Sequence, residues 1–228
     1  CGIMTIPPLL APAPQPGMTA RLARIGVIAI VAFALGLFLA RALWPARPAP
    51  PTTELLTVLP QARVLPPFEL VRHDGRRLDN AALRGHWTLV FFGFTHCPDV
   101  CPTALAMLAQ VRRSLADLPA DRQPQVLFVS VDPERDDAKQ LAAYVTFFDP
   151  TFIGATGTAE QVATVAAAFS LPYAKVPTPD GGYTMDHGAG VFVVDDAGAL
   201  AALSASARDA AALARDYRKL IAWRGAAT

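Results

Sequence analysis

Two cysteines four positions apart are the residues of this chain best suited to chemistry. Cys97 and Cys101 lie in residues 87–103, WTLVFFGFTHCPDVCPT, where an apolar run leads through a Gly-Phe-Thr turn to the first thiol. Two thiols held together at the end of a buried strand suggest either redox chemistry or a site for a soft metal ion. The pair alone leaves both chemistries open.

The spacing of the two cysteines predicts that they share one face of a helix. If Cys97 caps the helix and Pro98 occupies its first turn, Cys101 lies one turn further along. Residues so spaced have Cα atoms about 6 Å apart, which is within the range of a disulfide but toward its wide end. The amide dipoles at the helix start are expected to lower the pKa of the thiols. The spacing departs from the Cys-x-x-Cys of dithiol oxidoreductases, and two thiolates on one face can also chelate a metal.

A metal site built on two thiolates needs at least one further ligand, and the chain has four histidines. His73 and His86 are interpreted as surface residues, and the side chain of His96 is expected to point away from the dithiol. His187 directly precedes an apolar strand, where a thioredoxin-type sheet would place its loop beside the dithiol. Asp186 could orient the imidazole. From the residues alone, a ligand and a structural loop histidine are equally good interpretations of His187.

Two cysteines and a histidine would form a soft set of ligands. Such a set suits Cu(I), and its imidazole also suits Cu(II). Structural zinc normally takes four protein ligands, and no fourth is apparent. Met185 is interpreted as loop packing rather than as a ligand. Copper is therefore favoured over zinc.

Alternating strands and helices are expected to position these residues. Apolar runs predict strands buried on both faces at residues 87–92, 126–131 and 191–194. Apolar residues at three- and four-residue spacing, and a capping box at Thr158, predict helices over residues 102–118, 158–169 and 209–223. Residues 173–185 are predicted to form a hairpin or a loop. The pattern predicts an α/β domain with a central mixed sheet flanked by helices, and a dithiol heading a helix is the thioredoxin-type arrangement.

The N-terminal part is expected to attach this domain to a membrane. Residues 1–20 are rich in Pro and Ala and are predicted to be a disordered tail. Residues 21–44 contain an apolar run that can span a bilayer core of about 30 Å, and an uncleaved anchor is favoured over a signal peptide because no convincing cleavage site follows. Residues 45–59 are predicted to be a proline-rich linker, and residues 60–225 the thioredoxin-like domain.

The bulk composition excludes several classes of protein. The 228 residues carry a formal net charge of +1, so no nucleic-acid partner is expected. A mean hydropathy of +0.32 agrees with a membrane segment. Three cysteines are too few for a disulfide-stapled scaffold, and the third, Cys1, is interpreted as part of an N-terminal extension.

Charged and aromatic residues around the dithiol are interpreted as structural. Asp132 fits a helix start after a strand, and Arg135 and Asp136 fit a surface turn. Four aromatic residues are assigned to the core rather than to an interaction surface: Phe91, Phe92, Phe147 and Phe148.

Several motifs together resemble the Sco/SenC family. They are FFGFTHCPDVCPT, SVDPERD (residues 130–136), GATGTAEQVATVAAAF (residues 154–169) and the segment from Tyr183 to Asp186-His187. Members of this family are membrane-anchored, thioredoxin-fold copper proteins that assist assembly of the CuA centre of cytochrome c oxidase. The chain departs from the family at residues 199–207, which are rich in Ala and Ser where the family usually has larger residues.

The resemblance implies that Cys97, Cys101 and His187 bind one copper ion, as Cu(I) or Cu(II). It implies a metallochaperone that supplies the CuA site of apo cytochrome c oxidase subunit II, anchored in the cytoplasmic (inner) membrane with its copper domain on the periplasmic side. An upstream periplasmic copper donor or thiol reductant would be a further partner. The alternatives are a membrane-anchored thiol-disulfide oxidoreductase, in which Cys97 attacks and Cys101 resolves, and a copper or redox sensor. A chaperone is expected rather than an enzyme.

Overall fold

The computed structural model describes residues 17–43, 49–206 and 208–225. The chain separates into two compact units, one up to Arg47 and one from Pro48. The predicted tail lies outside the described residues except for residues 17–20, and Cys1 lies outside them as well.

The first unit contains one long helix, α1, Met18–Leu43. Its segment Arg21–Arg41 has a mean hydropathy of 2.5 and is long and apolar enough to cross a membrane, a property that signal sequences share. The helix is thus consistent with the predicted anchor. The helix begins at Met18, before the predicted boundary at residue 21, so residues 18–20 of the predicted tail are helical.

The second unit begins earlier than the sequence predicts. Strand β1, Leu56–Val64, starts inside the predicted linker of residues 45–59. The linker boundary is therefore wrong. The physical reason is that β1 contains Pro60 and a register shift between Val58 and Arg63, which interrupt the alternation that marks a strand in a sequence.

The centre of the second unit is an eight-stranded mixed sheet. Besides β1, its strands are β2 (Glu69–Arg72), β3 (Arg77–Asp79), β4 (Thr88–Gly93), β5 (Gln125–Ser130), β6 (Ile153–Thr156), β9 (Val191–Val194) and β10 (Ala199–Ser204). Strands β7 (Tyr173–Pro177) and β8 (Tyr183–His187) form a separate two-stranded hairpin. The spatial order in the large sheet is β1-β10-β9-β4-β5-β6-β2-β3.

Within the described residues of the second unit, four helices accompany this sheet. They are α2 (Val100–Ser114), α3 (Ala138–Phe148), α4 (Ala159–Ala168) and α5 (Ala210–Gly225), with short 3-10 turns at Asn80–Leu83 and Ala120–Arg122. The capping box is present at α4: the Thr158 side chain accepts the N–H of Gln161, whose side chain accepts the N–H of Thr158. The α/β prediction of a mixed sheet with flanking helices is confirmed.

The carboxylate of Asp216 holds the start of β1 against α5. It is fully buried and accepts the backbone N–H groups of Glu54, Leu55 and Leu56 at 2.6 to 3.1 Å. Burial raises the pKa of this carboxyl, but the three N–H donors and the charge of Lys219 outweigh it, and the net pKa is lowered. The folded state therefore favours the ionised carboxylate.

The substitution Asp216→Asn is expected to lower the free energy of unfolding by about 2 kcal/mol at neutral pH, because hydrogen bonds to charged groups contribute about 1.5–3 kcal/mol. Since the folded-state pKa is lowered, this stabilisation is fully present above the unfolded-state pKa of about 3.9 and is lost as the pH falls through the folded-state value.

Urea denaturation of the wild type and the variant at neutral pH and at about pH 3 measures this difference, which should shrink in acid. The control is Asp121→Asn, which removes an exposed carboxylate and should change neither value. An Asp216→Asn difference of the same size at both pH values would contradict the role given to the ionised carboxylate.

Candidate metal centre

Strand β4 leads the chain to the two cysteines. It lies between β5, to which it is parallel, and β9, to which it is antiparallel, and all six of its residues are buried. A turn follows in which the N–H of Cys97 donates to the carbonyl of Phe94 at 3.3 Å. Helix α2 then begins at Val100 with Asp99 at its N-cap, so Cys97 precedes the helix and Cys101 lies in its first turn. The arrangement considered above, in which Cys97 caps the helix, does not occur, because this turn delays the helix start.

Both cysteines are free thiols with different environments. Cys97 is partly exposed and Cys101 is buried, and the Sγ of Cys97 accepts the backbone N–H of Cys101 at 3.4 Å. Burial raises the pKa of the Cys101 thiol far above its usual value, and this outweighs a hydrogen bond with the Phe94 backbone that lowers it. The predicted lowering is therefore wrong for Cys101, because desolvation of a fully buried thiol exceeds the effect of the helix dipole.

His187 is brought to Cys101 by the hairpin. It is the last residue of β8, opposite Tyr173, and its Nε2 lies 3.7 Å from the Sγ of Cys101. Its Nδ1 lies 3.0 Å from the carbonyl oxygen of Gly188. A proton on Nδ1 donated to that carbonyl leaves a lone pair on Nε2, facing the thiol. Asp186 is exposed, so the backbone of Gly188, rather than the predicted Asp186 side chain, orients the ring.

The imidazole of His187 lies among aromatic rings. Phe91 and Phe94 meet it edge-on, with ring centroids at 6.4 and 5.9 Å. Burial lowers the pKa of His187, against the opposing effects of the Gly188 hydrogen bond and the Asp186 charge. The neutral imidazole, which is the form that binds metals, is thus favoured.

The other three histidines have different surroundings. His73 is half-buried rather than exposed, because its Nδ1 accepts the N–H of Gly154 at 2.9 Å. His86 is exposed, as predicted. His96 is exposed too, and its Nδ1 lies 3.7 Å from Asp136.

Cys97, Cys101 and His187 form two neighbouring pairs that share Cys101. Within the described ranges, no group of three or more His, Cys, Asp and Glu side chains is arranged as a metal site. A metal ion held by all three would therefore have to draw the side chains of the two pairs together.

Gly93 makes room for the buried thiol, a role that the sequence analysis missed. A Cβ at this position would lie 2.8 Å from the Sγ of Cys101 and 2.7 Å from Cε2 of Phe128. Both distances are shorter than atoms tolerate, so only glycine fits without displacement. A glycine that ends a buried strand just before a dithiol was the available signal, since such glycines often mark a close approach.

Two structural interpretations of nearby residues require correction. Phe91 and Phe92 are fully buried and Phe148 is half-buried, but Phe147 is 83% exposed. Adjacent helix residues point about 100° apart, so Phe147 cannot share the inward direction of Phe148. Asp136 was assigned to a surface turn, yet it is buried, because it accepts hydrogen bonds from neighbouring groups.

These features define an α/β domain with a free dithiol after its central strand and a histidine on a separate hairpin. The SCO1/SenC family model matches residues 57–222. The chain belongs to this family.

Relatives and solved structures agree with this assignment. Protein SCO2 homolog, mitochondrial, of Bos taurus is 39% identical over 156 residues, which are 68% of this chain and 59% of that protein. The chain therefore spans less than two thirds of that relative. The crystal structure of Arabidopsis thaliana ScoI with copper bound has a TM-score of 0.66 and 34% identity, covering 70% of this chain and 98% of the other. The structure of Bradyrhizobium japonicum ScoI with copper bound has a TM-score of 0.59 and 36% identity, covering 68% and 99%. The predicted thioredoxin-like fold is confirmed.

The substitution Gly93→Ala is expected to lower the free energy of unfolding by about 1–3 kcal/mol, because the added methyl group overpacks the site. Displacement of the Cys101 thiol from its buried position should also speed its labelling by a thiol reagent. Denaturant unfolding and labelling kinetics measure the two effects. The control is Gly182→Ala in the hairpin turn, where the new Cβ meets the side chains of Thr178 and Asp180. This control should change the labelling rate of Cys101 and the free energy of unfolding much less than Gly93→Ala does. Wild-type stability and labelling in Gly93→Ala would refute the close fit.

Proposed function

We propose that the chain is a copper metallochaperone. Cys97, Cys101 and His187 bind one copper ion, as Cu(I) or Cu(II), and pass it by ligand exchange to the CuA site of apo cytochrome c oxidase subunit II. The observation that carries the proposal is the 3.7 Å approach of the His187 Nε2 to the Sγ of Cys101. It pairs a thiol with an imidazole that has a lone pair to donate.

The chemistry of the three side chains fits copper as cargo. Thiolates suit Cu(I), and a neutral imidazole suits both copper oxidation states. Binding requires deprotonated thiols, so copper takes the place of the Cys101 proton that burial retains. Cys97 is the more exposed thiol and is the ligand that an incoming partner can reach first. Exchange would begin there and end at the buried Cys101.

Family membership supports the copper assignment, as do the copper-bound ScoI structures of two other organisms. In this proposal α1 is a single-pass anchor in the inner membrane and the copper domain works on the periplasmic side. A periplasmic copper donor or thiol reductant would prepare the domain for each delivery.

A thiol-disulfide reductase is the second candidate, favoured by the unequal exposure of the two thiols. The Cys97 thiolate would attack a disulfide formed by the CuA cysteines and give a mixed disulfide. Cys101 would then attack the sulfur of Cys97 and release the reduced target. The chain would be left with a Cys97–Cys101 disulfide, which a thiol reductant must reduce. His187 has no step in this sequence.

The substitution His187→Ala should abolish stable copper loading while the domain stays folded, because the imidazole ligand is removed. Copper titration of the full chain in detergent measures the stoichiometry, and circular dichroism reports the fold. The control His86→Ala removes an exposed histidine and should load copper normally. Unchanged copper stoichiometry in His187→Ala would sink the assignment.

Apo subunit II added to the copper-loaded wild type should remove the metal, as a chaperone requires. Copper that stays bound while the two proteins associate would favour the sensor instead.

In a disulfide-reduction assay, Cys97→Ser should be inactive and His187→Ala active if the chain is also a reductase. If the disulfide-reduction activity is lost equally in Cys97→Ser and in His187→Ala, a reductase activity that is independent of copper binding is rejected.

A further inference from the structure

In the part of the chain that the structure describes, the hairpin that carries His187 has no backbone pairing to the large sheet. Among the described residues, β7 and β8 pair with each other in a sheet of two strands. Two-stranded hairpins are marginally stable by themselves. The position of His187 relative to the dithiol therefore depends on the short connection to β9 and on side chains that join the hairpin to the rest of the domain.

Arg135 makes the most extensive of the polar connections. Its guanidinium carbon lies 3.7 Å from the centroid of the Tyr183 ring, and its Nη1 donates to the Tyr183 carbonyl at 3.0 Å. Its Nε donates to Asp132 Oδ2 at 2.5 Å, and the Tyr183 hydroxyl donates to Asp132 Oδ1 at 2.9 Å. Arg135, Asp132 and Tyr183 thus form a closed ring of contacts between the turn after β5 and the first residue of β8.

The ring of contacts extends toward His187 and is reinforced from the other strand. The Arg135 guanidinium lies 5.8 Å from the centroid of Phe94, the ring that meets His187 edge-on. The ammonium of Lys175 lies 3.9 Å from the Tyr183 ring and pairs with Glu134 at 2.6 Å. That ion pair is exposed and adds little. Met185 adds an apolar contact, because it is buried in the core. Arg135 is therefore the main polar link.

The same turn also holds the loop that carries the cysteines. Asp136, one residue after Arg135, is buried and accepts the Thr95 N–H at 2.9 Å and the Thr95 hydroxyl at 2.6 Å. Thr95 lies two residues before Cys97. One short turn thus connects to both halves of the candidate metal centre.

We propose that Arg135 is a positioning residue for copper binding: through Tyr183 it fixes the hairpin so that His187 stays beside Cys101. This inference rests on the proposed function, in which His187 is a ligand. The positioning role requires the planar guanidinium, which stacks on the Tyr183 ring while it donates hydrogen bonds to the Asp132 carboxylate and to the Tyr183 carbonyl. An ammonium group cannot make this set of contacts, because it lacks the planar fork of donors.

The test is Arg135→Met in the full chain, with Arg113→Met as the matched control at an exposed arginine on α2. Competition with a Cu(I) chelator should show copper binding roughly 10–100-fold weaker in Arg135→Met, the loss usual for residues that orient metal ligands. Adding His187→Ala to Arg135→Met should weaken binding much less than it does in the wild type. A general structural defect would instead give additive losses.

A measurement without copper separates the positioning role of Arg135 from the ligand role of His187. Nuclear Overhauser contacts between the His187 ring and the rings of Phe91 and Phe94 should weaken in Arg135→Met and persist in Arg113→Met. Tyr183→Phe keeps the ring and removes the hydroxyl bond to Asp132, so it should give a smaller change in the same direction. It serves as the test if Arg135→Met does not fold.

Unchanged ring contacts and copper affinity in Arg135→Met, or additive losses in the double variant, would overturn the positioning role. Where Arg135→Met does not fold, unchanged contacts and affinity in Tyr183→Phe would do so. Neither result affects the ligand role of His187. Wild-type copper affinity in His187→Ala would instead overturn the proposed function, while loss of the ring contacts in Arg135→Met would still support Arg135 as the link to the hairpin.

Discussion

The burial of one thiol at the end of the central strand is the constraint on which the site depends. Cys101 is fully buried, and Gly93 is what allows its sulfur and the ring of Phe128 to lie so close to β4. Burial keeps the thiol protonated, since a thiolate there would be an unpaired charge in a medium of low dielectric constant. Such a thiol is inert until a metal cation or a partner sulfur replaces its proton. This property suits the proposed function, in which the site holds a soft ion and then releases it.

The two halves of the site come from parts of the fold with different backbone pairing. The cysteine loop follows a strand with hydrogen-bonded neighbours on both sides, whereas His187 ends a hairpin of two strands. Between them lies the turn after β5, in which Asp136 bonds the cysteine loop and Arg135 contacts the hairpin. His187 is therefore the proposed ligand whose position depends most on side-chain contacts.

The strands and helices that could be predicted from the sequence are those marked by a pattern within a short stretch of residues. The long apolar runs of β4, β5 and β9 and the capping box of α4 are local features, and they were predicted correctly. Strand β1 was missed because a proline and a register shift interrupt its alternation. Strand β10 was missed because its alanines have low β propensity, although it is almost wholly buried.

The candidate metal centre could be predicted only in part, because several of its features arise from contacts between residues far apart in the sequence. The cysteine spacing is visible in the sequence, but the burial that raises the pKa of Cys101 is tertiary. The approach of His187 joins residues 86 positions apart, and the bond from Arg135 to Tyr183 joins residues 48 apart. A charged turn such as SVDPERD has the composition of a solvated surface, so its buried carboxylates and its stacked arginine could not be inferred from composition.

The central claim is that two thiolates and one imidazole bind the same copper ion. X-ray absorption spectroscopy of the Cu(I)-loaded full chain tests it most directly, because the fine structure counts sulfur and nitrogen neighbours of the metal. We expect two sulfur atoms and one imidazole nitrogen from Cys97, Cys101 and His187, and loss of the imidazole scattering in His187→Ala. A copper environment without nitrogen, or one that His187→Ala leaves unchanged, would contradict it.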